Sequence, residues 1–287
     1  MLELPFEPVI QPIEWPTFLT AGIEVFIKRE DTIHPFVSGN KWRKLKYVLM
    51  DAQSKGKHTL VSFGGAYSNH LVALACAGAM YGFKTIAFVR GETITNHLLG
   101  LCRTWGMELR FVSRAAYKNK PELFNGNATA DWYFIDEGGK GELAAKGCEE
   151  ILNEVNGFTH VVCAIGTGTT FTGLAKAAIT KEMKADGICV LKGAEEMNVE
   201  IANAIGYHHS WTVHHQFHGG GYAKTSPELF AFIDAFAQQT GVLLDQVYNG
   251  KMVKAVVELV EQGYYKKGDK VLLIHTGGLL GLLSRYS

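Results

Sequence analysis

An α/β fold of two open, mostly parallel lobes with a cleft between them is predicted by three observations. Short Val/Ile/Phe-rich runs alternate with helical patterns along most of the 287 residues. Glycines, 32 in all against 7 prolines, cluster where those runs hand over to helices. Strand patterns fall into one series between about residues 59 and 135 and a second after residue 160. Strands alternating with helices give parallel sheets covered by helices, and a cleft between two such lobes suits a small ligand.

The elements follow in order. An N-terminal strand at 22–29 can join either sheet. Ser38 and Asn40 are N-cap residue types, and 41–52 lacks Gly and Pro, so a helix begins near Lys41. Strands at 59–63, 85–89, 108–112 and 132–135 enclose helices at 69–81 and 97–105. The second series has strands at 160–164, 187–191 and 270–274, with helices at 141–153, 172–183, 226–239 and 251–262. Residues 207–222 match neither period and read as an irregular connection. The expected division is a large domain of 1–54 plus 145–287 and a small one of 55–144.

Composition narrows the function. Twenty-eight basic residues balance 28 acidic ones, so nothing in the net charge points to nucleic acid or an anionic membrane. The N-terminus has no basic segment followed by an apolar core, and the longest apolar helical stretch, 71–80, is too short to cross a bilayer. A cytoplasmic location is expected. Cys76, Cys102, Cys148, Cys163 and Cys189 are scattered and read as buried thiols.

Lys41 heads an apolar stripe of Leu45, Val48 and Ala52, opposite Arg43, Lys46 and Met50, with Lys44 on the flank and expected to reach water. Desolvation there favours the neutral, nucleophilic amine that a Schiff-base lysine needs. A stem that snorkels to solvent is the bland alternative. Gly166-Thr167-Gly168-Thr169-Thr170 follows an apolar strand and opens a helix, so backbone N–H groups, hydroxyls and the helix terminus favour a compact phosphate. It is neither a P-loop nor a good dinucleotide fingerprint. Ser68-Asn69-His70 opens another helix after a strand, a suitable place for a substrate carboxylate, though capping alone would explain it. His275-Thr276-Gly277-Gly278 follows the last strand, and Tyr248 and Tyr222 each offer a phenol near glycines. His208, His209, His214, His215 and His218 lack zinc spacing, so no metal is expected. No nucleophile elbow supports Ser-His-Asp hydrolysis.

In this order, residues 27–31, 39–44, 68–70, 137–139, 166–170, 248–251 and 275–278 resemble the 1-aminocyclopropane-1-carboxylate deaminase/D-cysteine desulfhydrase family, pyridoxal-phosphate enzymes of the tryptophan-synthase-β-like fold. The resemblance spans nearly the whole chain. It implies pyridoxal 5′-phosphate bound covalently by Lys41, which also moves substrate protons. It implies that 166–170 hold the phosphate and that Asn69 lies by the phenolic oxygen. Ser68, Asn69 and His70 would take the substrate carboxylate, and Ser68, Tyr222 and Tyr248 would be acid/base groups. Thr276 would face the pyridine nitrogen, and a hydroxyl there favours β-elimination. The deaminases carry an acid where this chain has Asn249 and an apolar residue where it has Thr276. Those differences imply D-cysteine desulfhydrase-like chemistry on a small amino acid, giving pyruvate, ammonia and sulfide. A homodimer is implied as well. Deaminase activity, a non-catalytic homologue and a nucleotide-binding enzyme stay open as alternatives.

Overall fold

Two mostly parallel sheets, each covered by helices, form the chain, whose computed structural model describes residues 7–207 and 210–285. His208 and His209, considered above as metal ligands, and residues 1–6 of the N-terminal reading lie outside the described residues. In chain order the elements begin β1 (Ile10–Pro12), α1 (Pro16–Ala21), β2 (Glu24–Lys28), α2 (Asn40–Ser54), β3 (Thr59–Gly65) and α3 (Asn69–Tyr81). They continue through β4 (Lys84–Arg90), α4 (His97–Thr104), β5 (Glu108–Val112), α5 (Lys120–Asn125), β6 (Trp132–Phe134) and α6 (Glu142–Glu149). Next come β7 (His160–Ile165), α7 (Thr169–Thr180), β8 (Lys184–Cys189), α8 (Met197–Ile205) and β9 (Trp211–His214). The chain closes with α9 (Pro227–Thr240), α10 (Asn249–Glu261) and β10 (Lys270–Ile274).

The larger sheet has the order β1-β2-β10-β7-β8-β9 and the smaller β5-β4-β3-β6. Every pairing is parallel except β1 with β2. The strand at the N-terminus therefore joins the larger sheet, between β1 and β10. Near-continuous apolar runs in β3, β7 and β10 follow from burial on both faces.

Helix α2 ties the lobes together. Its apolar side, Trp42, Leu45, Val48, Leu49 and Ala52, packs into the core of the smaller sheet with Leu71, Leu74 and Leu98. Its other side meets α6 so closely that a Cβ on Gly147 would lie 1.8 Å from the Arg43 carbonyl oxygen. Glycine is needed there for space. Glu30, fully buried, accepts a bidentate pair from Arg43 at 2.8 and 3.0 Å, which fixes α2 against the end of β2.

The structure departs from the pattern reading in places. Residues 207–222 contain β9, a four-residue edge strand parallel to β8, too short to show a period. Strand β8 starts three residues earlier than expected because Asp186, which broke the apolar run, is buried with three donors. His214 Nε2, the Tyr264 hydroxyl and the Tyr265 hydroxyl satisfy it at 3.1, 2.7 and 3.3 Å. His215 Nε2 instead pairs with Asn198 Oδ1, and His218 Nδ1 accepts the Gly220 N–H, so these histidines face different partners. Among the described residues no group of three or more His, Cys, Asp or Glu could hold a metal ion. Among them, too, no helix is long and apolar enough to cross a membrane. The five cysteines are buried and unpaired.

Candidate active site

Helix α2 starts where Gly39 takes φ 60°, and a Cβ there would lie 2.1 Å from the Thr276 carbonyl oxygen. Only glycine lets the chain pass this close to the loop after β10. Asn40 N–H donates to that same carbonyl at 3.3 Å, and Asn40 Nδ2 donates to Thr170 Oγ1 at 2.9 Å. The Lys41 helix start is thus fastened to both the Thr276 loop and the Gly166 loop. Burial, helped by the neighbouring Lys44 charge, lowers the Lys41 amine to a pKa of about 7. The residue keeps some exposure along the cleft, and among the described residues its amine makes no hydrogen bond or ion pair. It is a neutral or easily neutralised nucleophile at physiological pH.

Lys44 is not on a solvent-facing flank, contrary to the sequence expectation. It is 3% exposed, and its Nζ donates to the Gly138 carbonyl at 2.9 Å and to Thr167 Oγ1 at 3.3 Å. The i,i+3 spacing from Lys41, which puts both on neighbouring positions of one helix surface, was the signal that could have found it. No carboxylate pairs with this ammonium among the described residues, and its place beside Thr167 suits an anion.

Helix α7 begins at Thr169 rather than Thr172, directly after Gly168 at φ 80°. Its first turn is therefore the loop itself, and Thr169 Oγ1 is buried with no partner. An orphaned hydroxyl, free N-terminal N–H groups and a buried ammonium form a cradle for a phosphate. Tyr248 closes one side, since a Cβ on Gly166 would lie 3.0 Å from its Cε1 and 3.4 Å from its hydroxyl. Burial and then the adjacent Tyr222 phenol hold the Tyr248 pKa well above the ordinary tyrosine value, so it stays protonated and can donate. The two rings meet edge to face with centroids 6.1 Å apart, and Tyr222 is 53% exposed at the mouth of the cleft.

On the smaller lobe, Ser68 caps α3, its Oγ accepting the Leu71 N–H at 3.4 Å, which leaves the hydroxyl proton free to donate. Asn69 points its amide toward Gly278, and its Oδ1 is buried without a partner. The His70 ring turns inward instead of toward substrate: its Nε2 meets Ser62 Oγ at 2.8 Å, while that hydroxyl donates to the Ile135 carbonyl. The imidazole is therefore not presented to a ligand in the cleft. Its pKa is pushed well below the usual value by burial and then by Lys41 and Lys44, so the ring is neutral. Its Nδ1 is buried without a partner, beside the position that a Cβ on Gly139 would fill.

Thr276, 8% exposed, gives its backbone N–H and its hydroxyl to Asn249 Oδ1 at 3.0 and 3.3 Å. The second bond is long enough for a better acceptor in the cleft to replace it. Asn249 is fully buried and touches the cleft only through Thr276 and Gly277. The Lys41 helix start, the Gly166 loop with Tyr248, the Thr276 loop and Asn69 are thus brought together, whereas the His70 ring turns away and His214, His215 and His218 meet other partners. The amine, the phosphate cradle, the orphaned Asn69 amide and the Thr276 hydroxyl fit the parts of pyridoxal phosphate. Lys44 and the inward His70 ring are what pattern reasoning did not see.

The profile of the family described as "Pyridoxal-phosphate dependent enzyme" matches residues 10–277. A Thermotoga maritima protein, named provisionally as a 1-aminocyclopropane-1-carboxylate deaminase, is 30% identical over 92% of this chain and 91% of its own length. The D-cysteine desulfhydrase of Serratia proteamaculans is 28% identical over 92% of this chain and 89% of that protein. Among solved structures, an ACC deaminase homologue superposes with a TM-score of 0.83 at 28% identity, covering 97% of this chain and 91% of the other.

Proposed function

The chain belongs to the pyridoxal-phosphate-dependent enzyme family, and on that basis we propose that it is a lyase releasing pyruvate, ammonia and sulfide from D-cysteine. The observation that carries the substrate reading is the polar Asn249–Thr276 pair where the Thr276 loop meets the cleft. The name of the Serratia relative supports it.

When bound, pyridoxal phosphate supplies an electron sink for the bond-breaking at the amino acid's α-carbon. The protein's own groups do the rest. Lys44, Thr167, Thr169 and the first turn of α7 would hold its phosphate. The α3 N-terminus at Ser68, Asn69 and His70 orients the substrate carboxylate through backbone N–H groups. Lys41, with its pKa of about 7, takes the α-proton. The Cβ–S bond breaks with its electron pair leaving on sulfur, and Tyr248 or Tyr222 donates a proton to that sulfur. Net, one water is consumed, and pyruvate, ammonia and sulfide are released. No external oxidant or reductant is needed.

Ring opening of 1-aminocyclopropane-1-carboxylate is the second reading, favoured by the name of the Thermotoga relative. A cytoplasmic homodimer completes the proposal, and light scattering on the purified protein tests the assembly. The function itself is tested by keto-acid release from both enantiomers of cysteine and serine, β-chloro-D-alanine and 1-aminocyclopropane-1-carboxylate. D-Cysteine should give pyruvate and sulfide together. Release from the cyclopropane substrate alone, or from none of the set, refutes the reading.

A further inference from the structure

Lys251 carries a buried ammonium outside the cofactor cradle. It is 3% exposed, and its Nζ donates to the His218 carbonyl at 2.8 Å and the Gly221 carbonyl at 2.7 Å. Among the described residues it makes no ion pair with a carboxylate. Burying an unpaired ammonium is costly, and a methionine of similar length would fill the space at less expense, so the charge has work to do here. The two carbonyls converge because Gly219, Gly220 and Gly221 run at φ 56°, 87° and 119°, followed by Ala223 at 54°. An alanine at φ 54° is strained backbone, held only by what surrounds it. Between the glycines and that alanine sits Tyr222, whose ring meets the edge of Tyr248.

We propose that Lys251 is a positioning residue, a tethered cation that clasps loop 218–223 and so holds Tyr222 against Tyr248 at the mouth of the cleft. An alkali or ammonium ion bound by the same carbonyls would do the same job, which the lysine performs without exchange. The clasp rests on geometry alone, whereas its value to catalysis rests on the lyase reading, and two readouts separate the two.

The first readout is tryptic cleavage after Lys224, an exposed residue just beyond the loop, followed in the holoenzyme by the fragment beginning at Thr225. Lys251→Met should be cut about tenfold faster than wild type, the factor expected for losing a charged hydrogen bond. Ammonium chloride should slow that cleavage, and tetramethylammonium chloride, too large and without N–H donors, should not. Lys251→Arg, which keeps the charge, should resemble wild type. The second readout is pyruvate release from D-cysteine, where Lys251→Met should lower kcat about tenfold and leave KM within about twofold. Should the methionine variant not fold, Lys251→Gln carries the same comparison with an intermediate cleavage rate. Cleavage at Lys224 unchanged in Lys251→Met or Lys251→Gln, or equally fast in Met and Arg variants and indifferent to ammonium, overturns the clasp. The expected cleavage pattern with no pyruvate from wild type leaves the clasp standing and removes the lyase reading instead.

Discussion

Asn249 fastens Thr276 through a single oxygen, Oδ1, which accepts both the backbone N–H at 3.0 Å and the hydroxyl at 3.3 Å. On its other side Asn249 Nδ2 donates to Asp245 Oδ1 at 2.6 Å and to the Gly277 carbonyl at 2.8 Å. All of its polar capacity is used, so Asn249 acts on the cleft by fixing Thr276 and has no free polar atom left to offer a ligand. Asp245 is spent on the same joint, since it also accepts three N–H groups at the start of α10.

Asn249→Asp would set a carboxylate beside the Asp245 carboxylate, and one of the two would have to hold a proton. A folded state that retains a proton the unfolded chain has released loses stability as pH rises. The variant should therefore approach wild-type stability near pH 4 and fall about 2 kcal/mol below it by pH 7, read by urea unfolding across that range. A pH-independent difference would show that the two side chains are not in contact.

Lys44→Met should separate cofactor binding from stability. Removing an ammonium that has no carboxylate partner should leave the apoprotein within about 1 kcal/mol of wild type or make it more stable. Affinity for pyridoxal phosphate should fall at least about tenfold, because the phosphate loses its buried cation. Equilibrium dialysis and thermal unfolding of the apoprotein together measure both. Unchanged cofactor affinity would place the phosphate elsewhere.

The Lys41 amine gives a pH dependence of defined sign. Below pH 7 both folded and unfolded chains carry the proton, whereas between about 7 and the ordinary 10.5 only the unfolded chain does. Apoprotein stability should rise with pH through that window, and Lys41→Met should abolish the rise. Because the neutral amine is the nucleophile, the rate at which apoprotein takes up pyridoxal phosphate should climb about tenfold per pH unit below 7 and flatten above it. Stopped-flow absorbance reads this. A rate still climbing at pH 9 would mean an amine with an ordinary pKa.

Much of this was legible from residues alone. Strand runs such as Val161-Val162-Cys163-Ala164 and the glycines after them announced parallel sheets and loops at their ends, because doubly buried strands need continuous apolar sequence. Lys41 was legible because a charge at the head of an apolar stripe conflicts with its surroundings. Lys44 was not, since its burial comes from Gly138 and Thr167, more than 90 residues away in sequence. The inward turn of His70 likewise depends on Ser62 and Ile135, and the strand in 211–214 on pairing with β8. Tertiary partners decide such cases, and local pattern carries no trace of them.

Gly39→Ala tests the close approach that seats Lys41. A Cβ 2.1 Å from the Thr276 oxygen at a left-handed φ must push the two loops apart. The substitution should cost about 3 kcal/mol or more and weaken cofactor binding with it. Chemical denaturation and cofactor titration check the pair of effects. A variant with normal stability and normal binding would mean that the α2 start is not pinned to Thr276.

Borohydride reduction of the purified holoenzyme, followed by peptide mapping, bears on the whole account at once. Reduction should erase an absorbance band near about 420 nm and leave the cofactor irreversibly on the peptide containing Lys41, with Lys44 unmodified. Lys41→Ala should show neither band nor label. A label on Lys44, or a band that survives in Lys41→Ala, would contradict the assignment of the reactive amine.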